Sequence, residues 1–293
     1  MSLSDTLLQL ALSGIALGTV YGIVGLGFTI IYNATGVINF AQGEFVMLGG
    51  LIAVTLAQFH VPPLASALIA GIVVALVGIL LERLAIRPVS RRSVMAMITV
   101  TIGASMALRG LALALWGPNA QALDTFSGDT PIAVGGAALA PQELWVVGTA
   151  LLIVVATQLF FNLTVVGKAM RACAINRVAA QLAGIGVERM TLLAFGLSAG
   201  MSGVAGVVLA PLTMVSCSSG TPLAVKGFCA AIVGGLGNGV GAVAGGVLLG
   251  VLESMGAGLV SSGYKNAFAF LVLLLVLFLR PSGLFVRKSA EGL

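Results

Sequence analysis

Asn39, Gln42 and Glu44 stand in the stretch GVINFAQGEFVMLGG at 36–50, between two long apolar runs. A carboxylate and two amides at that spacing can hold a polar solute by charge and hydrogen bonds where bulk water is absent. An ionisable side chain at such a depth is costly unless it faces a bundle interior or an aqueous path. Glycines also interrupt the helical pattern here, and backbone freed at membrane depth must be covered by protein or line a cavity. Asn39, Gln42, Gly43 and Glu44 are therefore candidate residues of a passage. Asn39, Gln42 and Glu44 suit a second task, pinning a broken helix through hydrogen bonds to its loose backbone. The other carboxylate within an apolar run is Glu253, read as either solvated near the outer end of its helix or structural.

A second informative segment is LTVVGKAMRACAINRVAAQLAGIGVERM at 163–190. Asn176 is a good N-cap, Arg177 to Ala183 read as two helical turns, and Gly184 can take the left-handed position that ends a helix. A helix that short is marginal in water on its own, so docking must stabilise it. A small face of Ala179, Ala180 and Ala183 suits insertion into a cleft on another protein. Packing on the chain's own bundle is the alternative.

The elements that position these residues follow from composition. Of 293 residues, 59% are hydrophobic and 8% charged, and the mean hydropathy is +1.15. A soluble domain carries about 25% charged residues. A chain this poor in charge cannot cover a water-facing surface, whereas a lipid-facing surface needs none. The fold class is all-α, a polytopic transmembrane bundle with broken and short helices. Runs long enough to span lie near 7–31, 40–59, 64–82, 94–116, 144–162, 191–214 and 264–280. Region 223–260 reads as a short hairpin around the glycine turn at 234–239, giving nine crossings; a re-entrant segment there gives seven or eight.

Basic residues orient the chain. Arg83, Arg87, Arg91, Arg92, Lys168, Arg171, Arg177, Arg189, Arg280, Arg287 and Lys288 mark the cytoplasmic side, while the 117–143 loop holds Asp124, Asp129 and Glu143 and no Lys or Arg. The N-terminus then lies outside and the C-terminus inside. Lys226 and Lys265 fall near the outer face as a mild violation, and Arg109, inside the fourth run, is expected to snorkel outward. The N-terminus lacks the positive region of a cleavable signal peptide, so the first run reads as a retained span. Glycines at helical spacing (Gly14, Gly18, Gly22; Gly196, Gly200; Gly241, Gly245) make small faces for packing within the bundle or against a partner.

Several function classes are excluded by the sequence. The net charge of +5 is spread over short loops, which does not describe a nucleic-acid patch. Cys173, Cys217 and Cys229 have no ligand spacing, and His60 beside Pro62 and Pro63 reads as a turn residue. No P-loop, dinucleotide fingerprint, metal cluster or catalytic triad can be assembled. The expectation is a chain that is no enzyme, with no metal or cofactor of its own.

With these segments in view, 16–288 resembles the permease subunits of bacterial ABC importers for branched-chain amino acids. The resemblance is carried by 36–50, by 167–184 with its Arg-Ala-Cys-Ala core, by 226–246, and by the closing Arg-Pro-Ser-Gly-Leu-Phe at 280–285. It extends more distantly to sugar permeases of the ribose type, which implies a type II importer fold lacking one N-terminal helix. It further implies one permease domain over 1–293, set in the bacterial inner membrane. A second permease would form a heterodimer with it, a periplasmic binding protein would deliver solute, and two cytoplasmic ATPases would spend the ATP. Arg171, Asn176, Arg177, Ala179, Ala180, Leu182 and Gly184 are then the residues that couple to those ATPases. Ile175 and Asn176 depart from the acidic pair that family members often carry there. The competing class is a stand-alone secondary transporter or channel; a noncatalytic membrane scaffold is a third.

Overall fold

The computed structural model describes residues 3–89, 93–128, 130–134 and 136–285. Arg91, Arg92, Asp129, Arg287 and Lys288, used above to orient the chain, lie outside the described residues. Helices occupy every apolar run: α1 (Leu3–Thr35), α2 (Gln42–Gln58), α3 (Pro63–Leu81), α4 (Val94–Trp116), α5 (Pro141–Leu163), α6 (Val165–Ile175), α7 (Arg177–Leu182), α8 (Val187–Leu209), α9 (Gly220–Gly234), α10 (Gly239–Leu259) and α11 (Lys265–Leu279). A π-helical turn, Glu82–Ile86, continues α3, so Pro63–Ile86 forms one apolar rod. The loop before α5 folds as a small antiparallel hairpin, β1 (Ile132–Val134) with β2 (Ala137–Leu139), which alternation in so short a stretch does not signal.

Local chemistry sets the boundaries. Pro63 and Pro141 occupy the first turns of α3 and α5, where a missing N–H costs nothing. Ser93, Thr164, Asn176 and Asn238 cap α4, α6, α7 and α10 by accepting from backbone N–H groups of the first turn. The turn between α9 and α10 passes through Gly235 and Gly237, both at positive φ.

Among the described residues, six helices are long and apolar enough to cross a membrane, and α1 is the most buried of them, with 89% of its most apolar window covered. α1 packs chiefly on α10, and α8 chiefly on α3 and α2. The α1–α10 contact is backbone against backbone: a Cβ on Gly18 would lie 2.7 Å from the Gly246 carbonyl oxygen. Gly196 and Gly200 face α3, and Gly241 and Gly245 face α9, so all three glycine stripes pack within the chain. By contrast, only 11% of the corresponding window of α4 is buried.

Contacts between loops divide the ends of the bundle into two faces. On one, Asn33 at the end of α1 donates to the Gly237 carbonyl in the α9–α10 turn at 3.0 Å. Arg177 donates to the Ala34 carbonyl there, and Asn238 donates to the Phe285 carbonyl at 3.0 Å. On the other, the hairpin meets the start of α1 where Ala138 N–H donates to Gln9, and Gln121 pairs with Val215.

Candidate functional site

The chain leaves the helical path after Thr35 and resumes it at Gln42, at a level about halfway along α8 and α4. Gln42 is fully buried. Its Nε2 donates to Ser202 Oγ at 2.7 Å, and its Oε1 accepts from Ser198 Oγ at 3.0 Å. Both ends of the amide are therefore spent on α8. Asn39 Oδ1 accepts from Ala41 N–H at 3.1 Å and holds the turn that precedes α2. Gly43 lies against the Gly220 carbonyl and Ala224 of α9, an approach that leaves no room for a Cβ. Asn39 thus holds the break from within, and Gln42 and Gly43 fasten it to α8 and α9.

Glu44 is 1% exposed. Its Oε1 accepts from Ser105 Oγ and Arg109 Nη2 on α4, each at 2.9 Å, and from Thr221 Oγ1 on α9 at 3.4 Å. Arg109 also donates to Thr221. Arg109 does not snorkel: its guanidinium turns into the bundle because a buried carboxylate there is worth more than a distant interface. Glu44 sits in the first turn of α2 and touches the first residue of α9, so two helix N-termini add their partial positive charge to that of Arg109. Gly220 has to be glycine, because a Cβ would collide with Glu44 Oε2. That oxygen and Arg109 Nε are buried without a partner.

Beside this group lies a cavity of about 280 Å³ bounded by α1, the 36–41 break, α4 and α9. Ile102, Ser105, Met106 and Arg109 project into it from one face of α4, and Thr221, Ala224, Val225 and Phe228 from one face of α9. Both sets follow the i, i+3, i+4, i+7 spacing of a helix face. Phe28 and Phe40 complete the wall; their rings stand 5.8 and 6.3 Å from that of Phe228. Sequence reasoning missed Ser105, Arg109, Thr221 and the phenylalanines as site residues. The available signal was Arg109, a cation in mid-run that needed an intramembrane partner.

The solvated reading of Glu253 is also corrected. The residue is fully buried, and its Oε1 accepts from Lys226 at 2.7 Å and Tyr21 at 3.2 Å, with Lys265 at 3.7 Å. The two lysines that sat badly with the charge rule are its partners. A further carboxylate, Glu82, is buried near the end of the Pro63–Ile86 rod.

The 163–190 segment folds as a hook of two helices. α6, capped by Thr164, was not anticipated; α7 begins at the Asn176 cap, whose Oδ1 accepts from Ala179 N–H at 3.0 Å, and ends before Gly184 at φ +83°. Ala180 is 4% exposed and packs with Cys173 and Val187. It faces the bundle, contrary to the expected alanine face, because an amphipathic hook must bury one side to be stable. What it presents outward is Ile175, Val178 and Leu182, exposed by 87, 69 and 85%. Ala179 and Gly184 are exposed with them, and Arg171 donates to Asn162 at the base of the hook. Burial pushes the Cys173 thiol up, and nearby Arg177 opposes this only in part.

Residues 10–277 match the family described as the branched-chain amino acid transport system permease component. The chain belongs to that family. This permease is 31% identical to the high-affinity branched-chain amino acid transport system permease protein LivH of Escherichia coli K12, covering 97% of each chain. It is 30% identical to BraD of Pseudomonas aeruginosa, again over 97% of each. The probable permease LivH of Methanocaldococcus jannaschii is 30% identical over 89% of this chain and 87% of its own. Among solved structures, a chain of PsaBC from Streptococcus pneumoniae in complex with Fab aligns with a TM-score of 0.54 at 16% identity, covering 94% of this permease and 92% of that chain. That likeness is one of fold.

Proposed function

We infer that this chain is the transmembrane permease subunit of an ATP-driven importer for branched-chain or related amino acids. The observation that carries the reading is the hook. A capped, amphipathic pair of short helices buries Ala180 against its own bundle and offers Ile175, Val178 and Leu182 to something else. A short helix seated in a partner's cleft transmits a rigid-body motion as a lever. The partners are two cytoplasmic ATPases, because the chain has no P-loop of its own and its relatives are named as parts of transport systems. The hook shares its face of the bundle with the α9–α10 turn and the 280–285 segment, so that face is cytoplasmic and the β1–β2 hairpin meets the periplasmic binding protein. The N-terminus is then periplasmic and the C-terminus cytoplasmic, across a bacterial inner membrane.

A second permease sets its bundle against α4. The cavity is bounded on one side by this sparsely buried helix, so a bundle placed there closes it and completes a route between two subunits. Both carboxylates at the break and on α10 are already held by cations, Glu44 by Arg109 and Glu253 by Lys226. That arrangement suits a passive route driven by ATPases better than an ion-coupled carrier. Co-expression with the neighbouring ATPase and binding-protein genes tests the reading: the ATPase should stay bound through purification and drive uptake in liposomes. Uptake by the purified chain alone would overturn it.

A further inference from the structure

The geometry points to the α4–α9 cavity as a transit site for one amino acid with an apolar side chain, a reading that rests on the importer function above. Charge selects the class. The ionised residue lining the cavity is Arg109, and the Glu44 carboxylate behind it contacts its guanidinium at 2.9 Å, so the two are neutral as a pair. A zwitterion is neutral in the same way and leaves that balance unchanged. A solute with a third charge would bring it into an apolar wall with no partner, a costly transfer.

The groups are placed for such a molecule. Arg109 lines the cavity beside the N-terminus of α9, with its side chain 38% exposed. A guanidinium together with the positive end of a short helix is the arrangement that receives a carboxylate at membrane depth. Ser105 and Thr221 also line the cavity, and both donate to Glu44 Oε1. The Ser105 hydroxyl oxygen is left to accept from the α-ammonium, with the Glu44 charge directly behind it, while that of Thr221 already accepts from Arg109. Glu44 itself is a positioning residue: it lies one layer back, holds Arg109, and supplies the anionic field. The rest of the wall, from Phe28 to Val225, offers only hydrocarbon to the side chain. The volume, about 280 Å³, lies just below the range for drug-sized ligands, roughly 300–1,000 Å³. It suits a single amino acid.

The test is a selectivity ratio, since a merely structural role would not move it. The permease, assembled with its ATPases and an unmodified binding protein in liposomes, is supplied with labelled leucine or labelled alanine at saturation. Val225→Phe narrows the wall at an exposed position and should lower the leucine-to-alanine uptake ratio about 10-fold, the scale of one misfit apolar group. Met106→Ala should widen it and raise uptake of phenylalanine relative to leucine. Ratios unchanged in both variants would overturn the transit site and leave the importer reading standing. An equal fall for every solute would also overturn it, because that marks a packing defect. If the unmodified complex drives no uptake with ATP, the importer reading fails first and takes this site with it.

Discussion

At the scale of single residues, the decisive pair is Glu44 and Arg109. Each is tolerable in the bundle only because of the other, and removing one strands a charge. Glu44→Ala should destabilise the bundle by about 3 kcal/mol, the usual result of leaving one member of a buried pair alone. Thermal unfolding in detergent should show the loss, and Glu44→Ala combined with Arg109→Ala should recover most of it without restoring uptake. A double variant no more stable than the single one would mean that the pair is not coupled. Cys173 offers a second check. Burial raises its thiol pKa, so less thiolate is present at neutral pH than in an unfolded chain, and the thiolate is the nucleophile. With Cys217 and Cys229 replaced by Ala, Cys173 should alkylate at least ~10-fold more slowly than a cysteine placed at the exposed Ile175. The gap should narrow as pH rises. Glu44 was legible as a special residue because a carboxylate in an apolar run has few explanations. Arg109 was not, because a long flexible cation has a cheap alternative in snorkelling, and sixty-odd residues of sequence hide its partner.

At the scale of elements, the hook separates two effects that sequence alone merges. Ala180 and Val178 are two positions apart, yet one is buried and the other exposed. Val178→Glu with Leu182→Glu should leave the hook folded and the permease inserted, while ATP hydrolysis by the assembled transporter no longer drives uptake. Ala180→Glu should instead loosen α7 from Cys173 and Val187 and lower the yield of folded protein. Full coupling in the Val178 and Leu182 double variant would remove the hook from the mechanism. The caps were readable in advance: Asn176 and Gly184 bound α7 as their types require. Which side of α7 faces inward was not, since two turns of mostly alanine and valine carry too weak a periodicity to choose. α6 escaped notice because its helical pattern continues almost without pause from α5, and only the Thr164 cap divides them.

At the scale of the whole molecule, the bundle is assembled on close backbone contact along α1 and α10. Gly18→Leu places a side chain where the nearest atoms are backbone, which has no rotamer to yield, so overpacking should cost about 3 kcal/mol or more. The measurement is the fraction of monodisperse protein after detergent extraction; a wild-type profile would show that this seam can open. That the apolar runs are helices, and their order, was legible, since runs of lipid-compatible length have one solution for their backbone; their number was left open between seven and nine crossings. Depth was not legible: periodicity cannot say that α2 and α9 begin mid-bundle, because that depends on contacts between residues far apart in the chain. Leu284 N–H donates to the Val233 carbonyl at 2.9 Å, and Gly283 nests on Gly235. The tail is thereby a clasp on the α9–α10 bend. A purification tag spliced directly after Leu279 would unfasten it and set that bend swinging, whereas one appended beyond Phe285 should leave the latch shut.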